Sequence, residues 1–369
     1  MQKSNRVKKM MHITSLLLLS AAASELFIPL EQAGSSLSAN ELLLISAALC
    51  AFVFYSAKPL NDVLIRRPHL LQIITLSLLA ATGAGIVLRF PHLADISFLL
   101  ETIALSFSVI SHISIVQNTA FRQQRAMISI GVLGGLFLSS TTTLLFQVCS
   151  TDFGRSILII ALLTLQSATT IVCRRWEEPS PLQLPSSESK SPHDPAVHFG
   201  APLADGFLLG FLPASLFATH ASIDTPMLVW TLLLGCLFLL AFRGRKESFR
   251  ATSLGAESPE QAQKRQAGFF KVVPIALSLF FGISPTIDSF FVGLHLFIYV
   301  WYFSLLCSSL TERGRFLNIS IFFILGKFGA TFAIGFLTAG IPCCLPELFG
   351  ADELLANELR VVLGIFVIE

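Results

Sequence analysis

The sequence predicts an all-α polytopic membrane protein with eleven full transmembrane helices and a truncated twelfth, and three features carry that prediction. Of its 369 residues, 53% are hydrophobic and only 13% charged, against roughly 25% charged in an ordinary soluble domain. The apolar residues fall in runs of about 18–22, the length that crosses roughly 30 Å of hydrocarbon at 1.5 Å per helical residue. The basic residues collect on one side when successive runs are threaded in alternation. A soluble globular fold is excluded by the composition alone.

The predicted spans, in order, are 10–30, 41–58, 70–89, 95–117, 126–148, 156–173, 200–219, 226–242, 268–287, 289–308 and 317–340, followed by a stub from 359 to the end. The first has a second reading. Lys3, Arg6, Lys8 and Lys9, the run Ile13 to Leu19 and the small residues Ala21, Ala22 and Ala23 also have the layout of a cleavable secretory signal. The continuation from Leu26 to Leu30 past Glu25 favours an uncleaved helix. The final apolar run, Val361 to Ile368, reaches only about 12 Å, so a twelfth crossing would strand Glu369 in hydrocarbon. It is expected to lie at the interface or to be cut short.

Alternation assigns the N-terminal four cations to one side, with Lys58, Arg66, Arg67, Arg122, Arg125, Arg174, Arg175, Lys190, Arg243, Arg245, Lys246, Arg250, Lys264, Arg265, Arg313 and Arg315. The other side receives only Arg89, Arg155 and Arg360. The positive-inside rule makes the first side, with the N-terminus, cytoplasmic. The net charge of +2 is spread over many loops, which gives no case for a nucleic-acid partner; the lipid bilayer is the expected surround.

The stretch from Glu177 to His198 has five prolines and little to bury, so it reads as a disordered cytoplasmic linker. It divides the chain into a six-helix bundle at 1–173, a linker at 174–199 and a second bundle at 200–369 whose last helix is incomplete. Neither this linker nor the charged loop from Arg243 to Gln266 is large enough for a catalytic domain. No GxxxxGK[ST], GxSxG or HExxH occurs, and the seven cysteines form no CxxC or zinc spacing. The expectation is therefore a non-enzyme with no metal and no cofactor.

What remains is the set of polar side chains inside the spans, each a functional candidate because a charge in the bilayer costs about 2.5–3.5 kcal/mol on insertion scales. Counting from Lys9 places Glu25 about 24 Å up, in the outer third. Glu101 falls about 9 Å below the outer end of the fourth span, and His295 about 10 Å below that of the tenth. Lys327 lies about 18 Å from Arg315, near the midplane, where a lone ammonium needs an acidic partner or a water-filled cavity. Asp205 and His112 sit nearer the cytoplasmic ends, where reaching the headgroups is the plain reading. The plain alternative for Glu25 and Glu101 is a boundary position, and for His295 a hydrogen-bonded packing role. Gly131 with Gly135, and Gly206 with Gly210, have the spacing that lets helices approach closely.

Six spans, a long cytoplasmic linker and six more resemble the major facilitator superfamily. The loop Lys58-Pro-Leu-Asn-Asp62-Val-Leu-Ile-Arg66-Arg67 is similar to that family's Gly-xxx-Asp-Arg-x-Gly-Arg-Arg gating motif, keeping Asp62, Arg66 and Arg67. Lys58, Val63 and Ile65 replace both glycines and the first arginine. Gly131-Val-Leu-Gly134-Gly135 is faintly similar to its fifth-helix glycine motif, without the proline. The resemblance implies two bundles rocking about a central site lined by helices 1, 4, 7 and 10. Glu25, Glu101, Asp205 and His295 fall on those four, and a carboxyl group there could trade a proton for a cationic small molecule. A competing resemblance comes from Asp288 to Gly340, which is similar to the last spans of membrane-embedded LuxR-type regulators of gut actinobacteria. That reading implies a sensor module without its helix-turn-helix domain.

Overall fold

The computed structural model describes residues 2–27, 39–67, 69–88, 93–116, 127–139, 154–176, 307, 310–311 and 320–349. Apart from short turns these are helical: α1 (Gln2–Phe27), α2 (Ala39–Ala57), α3 (Asn61–Arg66), α4 (Leu70–Leu88), α5 (Leu93–Val116), α6 (Met127–Ser139), α7 (Gly154–Trp176) and α8 (Ile321–Phe349). All but the short α3 sit on predicted spans, the first six and the eleventh. The predicted spans at 200–219, 226–242 and 268–287, nearly all of 289–308, the linker and the C-terminal stub lie outside the described residues. Among the described residues, four helices are long and apolar enough to cross a bilayer: Leu70–Leu88, Ala94–Val116, Gly154–Arg175 and Ile321–Thr338.

Local chemistry explains the boundaries. α1 starts eight residues before its predicted span because Gln, Arg, Lys and Met are good helix formers, so the basic flank continues the helix. It ends two residues before Pro29, which cannot continue the hydrogen-bond ladder. The turn after α2 closes through Lys58 N–H to Tyr55 O and Leu60 N–H to Ser56 O, at 3.1 and 3.2 Å. At the start of α8, Ser320 acts as N-cap, its Oγ accepting from Phe322 N–H at 3.3 Å, which satisfies one of the orphan donors of the first turn.

The helices pack α1 on α7 and α5, α4 on α5 and α7, α2 on α5, and α8 on α2, α3 and α5. One cluster of buried side chains joins α1 (Leu19, Leu26), α2 (Leu42), α5 (Phe98, Leu105) and α7 (Ile159, Leu163). A second joins α2 (Val53, Ala57), α3 (Leu64), α5 (Ile110) and α8 (Ile321, Phe322, Leu325). Successive helices alternate in direction, so one end of the assembly gathers Lys8, Lys9, Lys58, Arg66, Arg67, Arg174 and Arg175. Contacts at that end include Gln72 Nε2 to Ser111 Oγ at 2.6 Å and Ser15 Oγ to Thr170 Oγ1 at 3.1 Å.

Beside these apolar clusters, burial departs from a soluble protein's at both extremes. Phe52, Tyr55, Val87 and Leu165 are more than half exposed, whereas Ser15, Thr102, Glu101 and His112 are buried. In water that pattern would expose apolar surface and desolvate polar groups together. In a bilayer lipid covers the apolar faces, and several of the buried polar groups pair with one another inside. The chain is a multi-pass membrane protein.

Glycines set two of the close approaches. A Cβ at Gly135 would lie 2.5 Å from Leu17 O and Ser20 Cβ and 2.8 Å from Ala21 N, and one at Gly131 would collide with Leu16 Cβ. α6 can therefore lie on α1 only because both positions lack a side chain. Gly326 and Gly329 do the same for α8 on α2, where a Cβ at Gly329 would enter the Phe54 ring.

Candidate functional site

At the end opposite the basic cluster, four helices converge on two carboxyl groups. Glu25 on α1 is 3% exposed and Glu101 on α5 is 1% exposed. Ser139, the last residue of α6, donates its hydroxyl to Glu25 Oε1 at 3.0 Å. Arg155, the second residue of α7, reaches across to α1, its Nε donating to the Glu25 carbonyl at 2.6 Å. Its Nη2 donates to the same carbonyl and to that of Leu26, the latter at 3.2 Å. Those carbonyls lie in the last described turn of α1, where the helix dipole is negative. The guanidinium charge faces both Glu25 and Glu101, and Ser156 on α7 also faces Glu101. One carboxylate oxygen of Glu101, Oε1, is buried with no hydrogen-bond partner among the described residues.

Depth counting puts Glu25, Glu101 and His295 at one level; His295 lies outside the described residues, and Glu25 and Glu101 share one cation. The structure also turns Arg155 inward. The charge count placed that residue in an outer loop, but at the start of α7 its stem is long enough for the guanidinium to reach the end of α1.

Nearer the basic end, a polar seam runs between α1, α5 and α7. His112 is fully buried, so it does not reach the headgroups as its position near a span end suggested. Its Nδ1 shares a 2.9 Å hydrogen bond with Ser15 Oγ. Gln166 Nε2 donates to Thr170 Oγ1 at 3.0 Å and to Ser15 Oγ at 3.4 Å. Arg174 donates to Ser114 Oγ at 3.1 Å, and the His12 ring meets that of His112 edge-on, centroids 5.9 Å apart. Serine and threonine barely change the hydropathy of a span and glutamine carries no charge, which is why this seam escapes a search for lone charges.

Lys327 is the seventh residue of α8, about 9 Å from its start and closer to the basic end than a count from Arg315 gives. Its Nζ lies over the Phe323 ring at 5.0 Å, and Lys58 approaches the same ring at 5.4 Å. A ring face attracts both ammonium groups. Asp62, Arg66 and Arg67 are exposed on and just after α3, and Asp62 accepts from Asn61 Nδ2 at 3.2 Å. Besides Lys58 and the buried Leu64, Asn61 joins this loop to α8, its Oδ1 accepting from the Ser320 hydroxyl. Asp205 and His295 lie outside the described residues. Among the described residues no three of His, Cys, Asp and Glu gather closely enough to hold a metal ion.

No family model matches the sequence and no curated protein matches it. Solved structures do resemble it along its whole length. The human organic anion transporter MFSD10 (TETRAN) aligns over 99% of both chains with a TM-score of 0.58 and 13% identity. A bacterial homologue of the iron transporter ferroportin, in an outward-facing state with soaked iron, aligns over 97% of this chain and 98% of its own, with TM-score 0.58 and 14% identity. FucP, a major facilitator superfamily transporter in the outward conformation, aligns over 99% and 97%, with TM-score 0.57 and 13% identity. These are transporters, and they lend nothing to the resemblance to LuxR-type regulators. The chain has the fold of the major facilitator superfamily.

Proposed function

We propose that this chain is a secondary transporter of the cell membrane, with a cytoplasmic N-terminus and two bundles, 1–173 and 200–369, rocking about a shared site. Its cargo is a small molecule, and its coupling group is Glu101, assisted by Glu25. Asp205 and His295 complete the site from the second bundle, while Asp62, Arg66 and Arg67 act at the cytoplasmic gate. The observation that carries the reading is a carboxyl group buried inside a transporter fold with one oxygen unpartnered among the described residues. Such a group can bind a proton or a cation but not both.

The charge balance supports a cationic substrate. Arg155 gives donors to the carbonyls of α1, and among the described residues two carboxyl groups face its one guanidinium, which makes this part of the site acidic when both are ionised. A proton arriving at Glu101 weakens its hold on a cation, and a departing proton restores it. The full chain in proteoliposomes, with an imposed pH gradient and a panel of fluorescent organic cations, tests this. Glu101→Gln should reduce gradient-driven uptake at least tenfold. Uptake as fast as in the wild type would remove Glu101 from the mechanism, and movement of anions but no cations would overturn the assigned charge.

A further inference from the structure

Four residues of α5, namely Ser97, Glu101, Ser108 and His112, fall within about 60° of arc on one face of the helix, at 100° per residue. All four are buried, none more than 2% exposed. Each carries a polar atom with no hydrogen-bond partner among the described residues: Ser97 Oγ, Glu101 Oε1, Ser108 Oγ and His112 Nε2. The hydroxyls off this face behave differently. Thr102 and Ser106 donate back to Phe98 O and Thr102 O at 2.8 and 2.9 Å. Buried polar atoms in native folds are satisfied by protein or by ordered water, and packing among the described residues does not explain a line of four.

We infer that this face of α5 is a proton path, filled by water, joining Glu101 to a second titratable station at His112. The inference rests on Glu101 being the coupling group. From Glu101 to Ser108 the rise is about 10 Å, and from Ser108 to His112 about 6 Å, so the first gap needs about three water molecules at hydrogen-bond spacing. Ala104, on the same face between them, is fully buried in the apolar cluster that joins α1, α5 and α7, so in this proposal the water molecules thread beside its methyl group. When Nδ1–H of His112 donates to Ser15 Oγ, Nε2 presents its lone pair to the path. In transfer, the O–H bond of the Glu101 carboxyl group breaks as the first water gains that proton. Each water forms one O–H bond and breaks another, and His112 Nε2 gains an N–H bond. A carboxylate remains at Glu101 and an imidazolium at His112, and the reverse sequence restores both.

Other charged groups face the two stations. On α1, Glu25 lies beyond the Arg155 that faces Glu101, while His12 faces His112 and has Lys8 beside it. On α7, Arg155 and Ser156 face Glu101, and Thr170 and Gln166 reach Ser15. Glu101 thus lies beside a fixed cation and His112 among hydroxyls and a second imidazole, an arrangement in which the proton has two distinct resting places.

The test is deuterium exchange of the Glu101 carboxyl group, read by infrared spectroscopy of the full chain in lipid and assigned as the carboxyl band that Glu101→Gln removes. Ser108→Val, which plugs the path, and His112→Phe, which removes its far station, should each slow that exchange at least tenfold. Thr102→Val, off the path, should leave it unchanged, and backbone amide exchange in all variants should match the wild type. Wild-type exchange in Ser108→Val would overturn the path, as would equal slowing in Thr102→Val or the absence of any band lost in Glu101→Gln. None of these readings depends on transport, so a failure of Glu101 as coupling group and a failure of the path are told apart.

Discussion

Replacing Arg155 by Met should destabilise the fold more than any other single change at the end opposite the basic cluster. The substitution keeps much of the apolar stem but removes the donors to the Glu25 and Leu26 carbonyls and the cation facing Glu25 and Glu101. A cation at a helix C-terminus contributes about 0.3–1 kcal/mol, and up to about 2 kcal/mol when partly buried. Leaving a buried carboxylate without its partner costs about 3–5 kcal/mol. These contributions overlap, so the larger sets the expectation: a loss of about 3–5 kcal/mol, measured by titrating the purified protein from mild detergent into sodium dodecyl sulfate. Arg155→Lys keeps the charge but loses the fork of donors, and should cost about 1–2 kcal/mol, the worth of one or two such hydrogen bonds. Adding Glu25→Gln and Glu101→Gln to Arg155→Met removes the stranded charge and should recover about half of the loss. An Arg155→Met protein within about 1 kcal/mol of wild type, or a triple variant no better than the single one, would refute the assignment of Arg155 as counter-ion.

Gly135→Ala should cost about 1–3 kcal/mol by overpacking, because its new methyl group meets α1 backbone at 2.5–2.8 Å. Gly83→Ala, with nothing within 4 Å, should be neutral or gain up to about 1 kcal/mol; equal behaviour of the two in the same titration would contradict the α1–α6 contact. Asn61→Ala and Ser320→Ala should show a double-mutant coupling of about 0.5–1.5 kcal/mol, the net worth of one hydrogen bond, and a coupling near zero would mean that they do not meet.

The helices were legible because twenty apolar residues in a row admit few other structures, and because the cations between them segregate. Glu25 and Glu101 stood out for the same reason, as single charges in such runs. Arg155 did not, since a cation at a span edge is indistinguishable in sequence from a loop charge; its role depends on which helix end lies across from it. The face made by Ser97, Glu101, Ser108 and His112 was readable as a period of four, seven and four along α5, but serines weigh little in hydropathy. Gly326 and Gly329 could have been found as the small pair in an otherwise bulky run. For Lys327 a count from Arg315 does not see that α8 begins at Ile321, six residues before it. Partner choice across helices, as in Asn61 with Ser320 in place of Asp62, is a product of packing and leaves no local signature.

Site-directed labelling most directly tests alternate threading, on which the two bundles and the site between them depend. Single cysteines at Ser187 and Asp352, in a background lacking the native seven, are challenged in intact cells with a reagent that does not cross the membrane. The account predicts that Asp352→Cys is labelled from outside and that Ser187→Cys is labelled only after the membrane is opened. Labelling of both from the same side would contradict it.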